Sequence, residues 1–208
     1  LSAYGTDSEQ DDIRDMFSEG RGAMATLRDL ELHESLNTYS NGAVANAVKD
    51  IVGVQFRNMA TVGGSIWGRF GFSDVLTVFL ALDSYVELYK GGIVPLEDFA
   101  KMKKDNDILV RLIVKKTPCK VLYSAMRNQR TDFPVLACAV AQMNGEYRAS
   151  IGARPGRAML VRRDNAEGFA AFVAENTPTE GNLRGSAAYR THLTRVLVER
   201  SMNELEGK

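Results

Sequence analysis

The chain has 208 residues, of which 45% are hydrophobic and 25% charged, and its 26 basic and 26 acidic side chains give a formal net charge of zero. This composition is that of a globular protein and excludes a disordered chain. The basic residues are dispersed, so no electrostatic footprint for nucleic acid or an anionic membrane is expected. No apolar run reaches the about 20 residues of a membrane span and no signal peptide is visible, which favours the cytoplasm.

The cysteines and histidines give no sign of a metal or disulfide framework. Cys119 and Cys138 lie in separate apolar, strand-like stretches, where we expect buried, reduced thiols. His33 and His192 have no carboxylate and histidine partners at metal-ligand spacing. We therefore predict neither a metal site nor a catalytic histidine.

In chain order, a polar segment comes first and two helices follow. Residues 1–19 begin at Leu1 rather than Met, from which we expect a truncated or processed chain. Arg21–Thr26 predicts a short strand and Leu27–Leu36 a helix. In Ala43–Val52 the apolar residues recur with the spacing of one buried helical face, which predicts a second helix.

The next feature is a glycine pair, Gly63-Gly64, flanked by Thr61 and Ser65. Two adjacent glycines remove the β-carbons from a turn, so that backbone N–H groups can converge on an anion such as a diphosphate. The flanking hydroxyls can donate to phosphate oxygens, and Asp74 can accept from ribose or ribityl hydroxyls. A glycine pair alone is a weak signal, and neither G-x-G-x-x-G nor a P-loop is present.

The elements after the glycine pair alternate between helix and strand. Ser73 is a suitable N-cap for an almost wholly apolar, buried helix over Asp74–Leu82. The following segments predict, in order, a strand, a hairpin turn, a second strand, a short helix and a core strand: Tyr85–Tyr89, Lys90-Gly91-Gly92, Ile93–Pro95, Leu96–Lys101 and Ile108–Lys115.

Thr117-Pro118 is the best candidate for a domain boundary, because proline ends the preceding strand and longer antiparallel strands follow. Three strands are predicted, with Asn144-Gly145 as a type I′ turn between the last two. The strands are Lys120–Met126, Val135–Met143 and Tyr147–Ala153, and the helices that follow are Ala166–Glu175 and Ser186–Glu206.

Several segments together resemble a known family. Arg57–Ile66 (Arg-Asn-Met-Ala-Thr-Val-Gly-Gly-Ser-Ile) and Phe72–Leu76 (Phe-Ser-Asp-Val-Leu) are similar to the FAD-binding medium subunit of molybdenum hydroxylases, the group of xanthine dehydrogenase and carbon monoxide dehydrogenase flavoproteins. The order and spacing of further matches extend the likeness from about residue 20 to about residue 206. These matches are Gly22–Glu31, Leu80–Asp83, Val86–Leu88, Thr131–Val135, Ile151–Pro155 and Tyr189–Leu193.

The resemblance implies an α+β fold with two parts. An FAD-binding subdomain of the vanillyl-alcohol-oxidase or PCMH type is expected over residues 1–117. A C-terminal α+β domain, like that of the carbon monoxide dehydrogenase flavoprotein, with a three-stranded antiparallel sheet and helices, is expected over 118–208.

The implied cofactor is FAD, and the implied contacts transfer position by position. The family's second glycine-bearing segment and its acid would contact the diphosphate and flavin side, and a strand contact would pack against the flavin ring. The residues so assigned are Ala60, Thr61, Val62, Gly63, Gly64, Ser65, Asp74, Ile108 and Leu109.

Two departures from the family pattern concern the flavin. The family's first glycine-rich loop has no counterpart in residues 1–19, which contain only Gly5. Ser65 stands where an asparagine is common, and Arg127 is the nearest match to a lysine found near the flavin in some relatives. The aromatic residues Trp67, Phe70 and Phe72 could shield the flavin, face a neighbouring subunit or fill the space beneath the glycines.

The resemblance also implies an oxidoreductase assembly. A large molybdopterin-binding subunit would hydroxylate the substrate, and an iron–sulfur small subunit would pass electrons to FAD on this chain, with NAD as a candidate acceptor. The absence of a cysteine cluster fits a chain that carries only the flavin step. Two alternatives stay open, namely an assembly module that has lost FAD and an independent FAD oxidase.

Overall fold

A computed structural model describes residues 22–207, so the expectations for residues 1–19 lie outside it. A short 3-10 helix, Gly22–Met24, comes first. The helices are α1 (Leu27–Leu32), α2 (Glu34–Tyr39), α3 (Ala43–Val48), α4 (Val54–Arg57), α5 (Val62–Trp67), α6 (Asp74–Ala81), α7 (Leu96–Lys101), α8 (Phe169–Asn176) and α9 (Ala187–Leu205). The strands are β1 (Ser84–Leu88), β2 (Gly92–Pro95), β3 (Leu109–Val114), β4 (Cys119–Arg127), β5 (Pro134–Met143), β6 (Glu146–Gly152) and β7 (Met159–Arg163).

The first half of the chain departs from prediction at two places. The strand expected up to Thr26 is wrong, because Gly22–Met24 is helical and only an isolated bridge joins Thr26 to Thr61. The single helix expected over 27–36 is divided at His33, whose ring accepts a hydrogen bond from the Leu36 N–H (3.1 Å) and so begins a new helix. His33 thus has a structural role.

Two antiparallel sheets follow. The smaller has the strand order β2-β1-β3, and the larger has the order β4-β5-β6-β7. The predicted type I′ turn is present, with positive φ at Asn144 and Gly145 between β5 and β6. The larger sheet has a fourth strand, β7, that the sequence did not reveal because its five residues follow an Arg-Pro-Gly-Arg turn and alternate weakly.

β5 lies at the centre of the fold, with nearly every residue buried. Ala139 and Ala141 belong to the core formed with α6, whereas Cys138 and Val140 belong to the core formed with α8 and α9. This alternation follows the period of two in a strand. The sheet is therefore covered by helices on both faces, and the predicted α+β fold class is confirmed.

Candidate functional site

The glycine pair lies in a helix rather than a loop. Thr61 is the N-cap of α5, and its Oγ1 accepts a hydrogen bond from the Gly64 N–H at 3.1 Å. The Val62 N–H donates to the Ala25 carbonyl at 2.8 Å. The prediction of a bare glycine loop is wrong, because the Thr61 cap and the bridge to residue 26 place Gly63-Gly64 in the first turn of the helix.

The two glycines serve different purposes in that helix. Neither has a positive φ. A Cβ on Gly63 would lie 2.6 Å from the Ala23 carbonyl oxygen, so this glycine permits close packing against the 3-10 helix. A Cβ on Gly64 would meet only the Thr61 hydroxyl, at 3.0 Å. Gly63 therefore fixes the position of the helix, and Gly64 presents an uncovered backbone.

The start of α6 is held beside α5, as the sequence predicted. Ser73 accepts from the Leu76 N–H as N-cap, and its hydroxyl also donates to the Ser65 carbonyl oxygen (3.1 Å). Ser65 in turn donates from its hydroxyl to the Thr61 carbonyl at 3.0 Å. These contacts bring Asp74, the first residue of α6, next to the glycine helix.

Asp74 is the centre of a buried polar cluster. Its side chain forms an ion pair with Arg127 (Nη2 to Oδ1, 2.8 Å), and the Tyr123 hydroxyl donates to the same oxygen. Burial raises the pKa of the Asp74 carboxyl above its ordinary value, and the attraction of Arg127 opposes that shift only in part. Burial, and then the adjacent carboxylate, raise the pKa of Tyr123, so its hydroxyl stays protonated.

A cavity of about 500 Å³ opens between these elements. Of the predicted site residues, five line it, and Ile108 and Leu109 are not among the residues around it. Val62 and Gly63 are buried behind it. Its lining consists of Leu27, Ile51, Val52, Phe56, Ala60, Thr61, Gly64, Ser65, Phe70, Phe72, Ser73, Asp74, Val75, Arg127, Thr131, Asp132 and Phe133.

Three phenylalanines form one wall of the cavity. Phe70 and Phe72 stack with ring centroids 5.3 Å apart, and Phe133 meets Phe72 edge to face at 4.5 Å. We call these three residues the aromatic wall. Trp67 instead packs against Phe99, so the expected aromatic group is divided between the cavity and the core.

The segment that carries the wall is fixed to the large sheet. The Ala153 N–H donates to the Gly71 carbonyl at 2.6 Å. A Cβ on Gly71 would overlap the Gly156 carbonyl oxygen. Residues from the second half of the chain therefore set the position of Phe70 and Phe72, the two residues of the wall that come from the first half.

Arg57, a buried arginine in the recognised motif, holds another part of the cavity lining. Its guanidinium pairs with Glu31 (2.8 Å) and donates to the carbonyl oxygens of Ile51 and Val52 at 3.2 and 3.4 Å. Val52 has a φ of 50°, which is rare for a β-branched residue. Arg57 thus stabilises a strained turn that lines the cavity.

Sequence reasoning did not assign Tyr123 or Phe133 to the site. Tyr123 and Arg127 lie four residues apart on β4, a spacing that places both side chains on one face of a strand. That spacing, together with a buried acid on α6, is the feature of the sequence that could have indicated the polar cluster around Asp74. Phe133 was present in a segment matched to the family, but its position on the wall depends on the fold.

Other features of the described residues bear on function. Cys138 is buried and Cys119 half-buried, and both are free thiols. Within residues 22–207, no group of three or more His, Cys, Asp or Glu side chains could hold a metal ion. No helix in the same range has the length and apolarity needed to cross a bilayer.

The cavity fits part of a dinucleotide. Its volume and mainly apolar, aromatic lining are typical of cofactor pockets. The uncovered Gly64 permits close approach of a ligand to the backbone, and the Thr61 hydroxyl faces the same space. These features suit the aromatic rings and the polar linker of FAD.

Comparison with known proteins identifies the family. Residues 20–116 match the family model described as "FAD binding domain in molybdopterin dehydrogenase". This match confirms, for that part of the chain, the resemblance recognised from the sequence. The predicted cofactor, FAD, is confirmed by the same match.

Other similar proteins cover most of the chain. "Uncharacterized protein YgfM" of Escherichia coli (strain K12) is 28% identical over 183 residues, covering 85% of this chain and 69% of YgfM. A chain of carbon monoxide dehydrogenase from Hydrogenophaga pseudoflava superposes with a TM-score of 0.74 at 20% identity, covering 87% of this chain and 72% of that one. A chain of quinoline 2-oxidoreductase from Pseudomonas putida 86 superposes with a TM-score of 0.73 at 19% identity, covering 88% of this chain and 73% of that one. At these identities the structural matches show the fold.

Proposed function

We propose that the chain is the FAD-binding electron-transfer subunit of a molybdenum-containing, xanthine dehydrogenase-like hydroxylase. The observation that carries this proposal is the cavity beside Gly64 and Asp74, within the segment that matches the FAD-binding family model. We also propose the division into residues 1–117 and 118–208, and a cytoplasmic location.

The partners proposed for this subunit supply the other steps of the reaction. A molybdopterin-binding large subunit would oxidise the substrate, an iron–sulfur small subunit would deliver the electrons, and NAD is the candidate acceptor. The family and the carbon monoxide dehydrogenase matches support such an assembly. FAD, when bound, supplies the redox chemistry, and the chain's own residues bind and orient it.

This proposal assigns a task to Gly64, Thr61, Asp74 and the aromatic wall. Gly64 and Thr61 hold the polar linker of FAD, because one lacks a side chain and the other offers a hydroxyl donor. Asp74 accepts a hydrogen bond through Oδ2, since Tyr123 and Arg127 both use Oδ1. The aromatic wall packs against an apolar part of the cofactor and excludes water.

The remaining predicted site residues act less directly. Ala60 and Ser65 line the cavity and shape it, while Val62 and Gly63 position Gly64 from behind. Ile108 is exposed and Leu109 buried, at the start of β3. Their contact with the flavin stays a prediction.

The experiment compares flavin retention in wild-type protein, Gly64→Val and Gly181→Val. Valine at residue 64 places a branched side chain in the cavity, so we expect the purified protein to lose its flavin absorbance while its circular dichroism is unchanged. Gly181 lies outside the cavity, and the nearest atom to an added Cβ there is 3.6 Å away, so the control should retain flavin. Wild-type flavin content in Gly64→Val would refute the assigned role of the cavity.

A further inference from the structure

A second cavity, of about 550 Å³, shares the aromatic wall with the first. We call it the basic cavity, because every charged residue among its described lining is positive. Those residues are Arg69, Lys104, Arg157, Arg184 and Arg190. The chain has no net charge, so five positive side chains around one cavity give that cavity a local excess of positive charge.

Arg69 is buried beside this cavity, and its guanidinium carbon lies 3.9 Å from the centre of the Phe99 ring and 5.1 Å from that of Trp67. It is only 5% exposed, and its Nε donates to the Phe99 carbonyl oxygen (3.0 Å). Its two terminal nitrogens are buried without a hydrogen-bond partner among the described residues. Its φ of 47° lies in the left-handed region, which costs free energy for a residue other than glycine. Buried donors without acceptors destabilise a fold unless something else binds them.

Two of the side chains that line the basic cavity with Arg69 are exposed to solvent. Phe70 is half exposed and packs over Gly68, next to Arg69. Lys104 is exposed and lies with its ammonium group 5.1 Å from the centre of the Phe70 ring. Because Arg69, Phe70 and Lys104 all line the basic cavity, a ligand bound there would lie beside all three.

The other cations reinforce the positive potential. Arg157 donates to the carbonyl oxygens of Ala100, Lys101 and Met102, and Arg190 donates only to uncharged oxygens. Arg184 has an ion pair with Asp132 at 3.3 Å. No carboxylate within the described part of the chain forms an ion pair with the remaining four cations.

The arrangement brings like charges close together. Burial lowers the pKa of the Arg69 guanidinium, the carboxylate of Asp105 opposes that shift, and repulsion from Arg157 lowers the pKa by a smaller amount. Repulsion between guanidinium groups is relieved when an anion lies between them. Arginine groups bind phosphate through two parallel N–H···O bonds, so a phosphate group is an anion that suits this cavity.

We propose that the basic cavity binds a phosphate group, either free or carried by a nucleotide, with Arg69 as its principal ligand. The aromatic wall would give a nucleotide base an apolar surface on which to pack. This inference does not depend on flavin in the first cavity, because the cations and the wall are present without it.

The test is calorimetric titration of the full chain at low ionic strength with inorganic phosphate, pyrophosphate and ADP. We expect saturable binding that weakens as salt is added, since the interaction is between charges. A higher affinity for ADP than for pyrophosphate would identify a nucleotide as the source of the phosphate. Equal affinities would identify the free anion. If none of the three compounds binds, the proposal is wrong.

Variants separate a binding role from a structural one. Arg69→Met should weaken binding by roughly tenfold or more, and Lys104→Met by a smaller factor. Arg200→Met, an exposed position farther along α9, removes the same charge and should leave affinity unchanged.

Thermal unfolding completes the test. Because Arg69→Met removes buried donors without acceptors, it should raise the melting temperature of the free protein while it lowers affinity. A lower melting temperature with unchanged affinity would show that Arg69 is structural. If Arg69→Met does not fold, Lys104→Met carries the test, because its side chain is exposed, and equal losses in Lys104→Met and Arg200→Met would overturn the proposal.

Discussion

Replacing Arg127 by methionine leaves the Asp74 carboxylate buried without its counter-ion. The two side chains are 10% and 6% exposed and their atoms are 2.8 Å apart. At that distance and an effective dielectric constant of about 20, the attraction is about 6 kcal/mol, and desolvation offsets part of it. Arg127 also donates to the Asp132 carbonyl oxygen (2.6 Å), which adds about 1 kcal/mol. We expect Arg127→Met to lower the free energy of unfolding by about 3–5 kcal/mol.

A double-mutant cycle isolates the ion pair from the other contacts of Arg127. With Asp74→Asn already present, Arg127→Met should cost only about 1–2 kcal/mol, so the coupling energy should be about 2–3 kcal/mol. Urea unfolding of the four proteins, with a common slope against denaturant, measures each value. Additive effects would show that Asp74 and Arg127 do not interact in the folded chain, and the account of the buried polar cluster around Asp74 would be wrong.

Two further predictions concern the same region. The cost of Arg127→Met should shrink in acid, because burial raises the folded-state pKa of Asp74 and the protonated carboxyl needs no counter-ion. Protonation of Asp74 stabilises the folded state fully below the ordinary pKa of 3.8, and this stabilisation is lost as the pH rises through the folded-state pKa. Unfolding measured at several pH values checks this, and a cost independent of pH would contradict it. Gly63→Ala should destabilise the protein by about 1–3 kcal/mol, since its Cβ would lie 2.6 Å from the Ala23 carbonyl oxygen. Gly181→Ala is the control, and equal stability of the two variants would contradict the packing argument.

The sequence predicted those elements whose hydrophobic period and capping residues agree. The Leu96–Lys101 helix was predicted at its observed bounds, and α6 and α9 were predicted to within one residue at each end. In each case an apolar pattern and a terminal signal pointed to the same structure.

Elements that depend on distant contacts were predicted less well. Gly63-Gly64 was expected to be a loop because glycine pairs are common in turns, but the Ala23 backbone, 40 positions earlier in the chain, selects a helix there. Likewise, the Asp74, Tyr123 and Arg127 cluster joins α6 to β4. No local pattern in the sequence specifies which buried acid meets which arginine. The sequence alone therefore could not predict that these three residues form one cluster.

The contact between Gly71 and Gly156 limits how this chain can diverge. A side chain at residue 71 must find space that the Gly156 carbonyl oxygen now occupies, whereas one at residue 156 would meet only the Arg154 side chain, so a tolerated substitution of Gly71 requires the backbone at residue 156 to shift. Chimaeras that join the first half of this chain to the second half of a relative should therefore keep Gly71 unless the relative's backbone runs farther from it. This close approach makes the fit between the two halves depend on a single residue without a side chain.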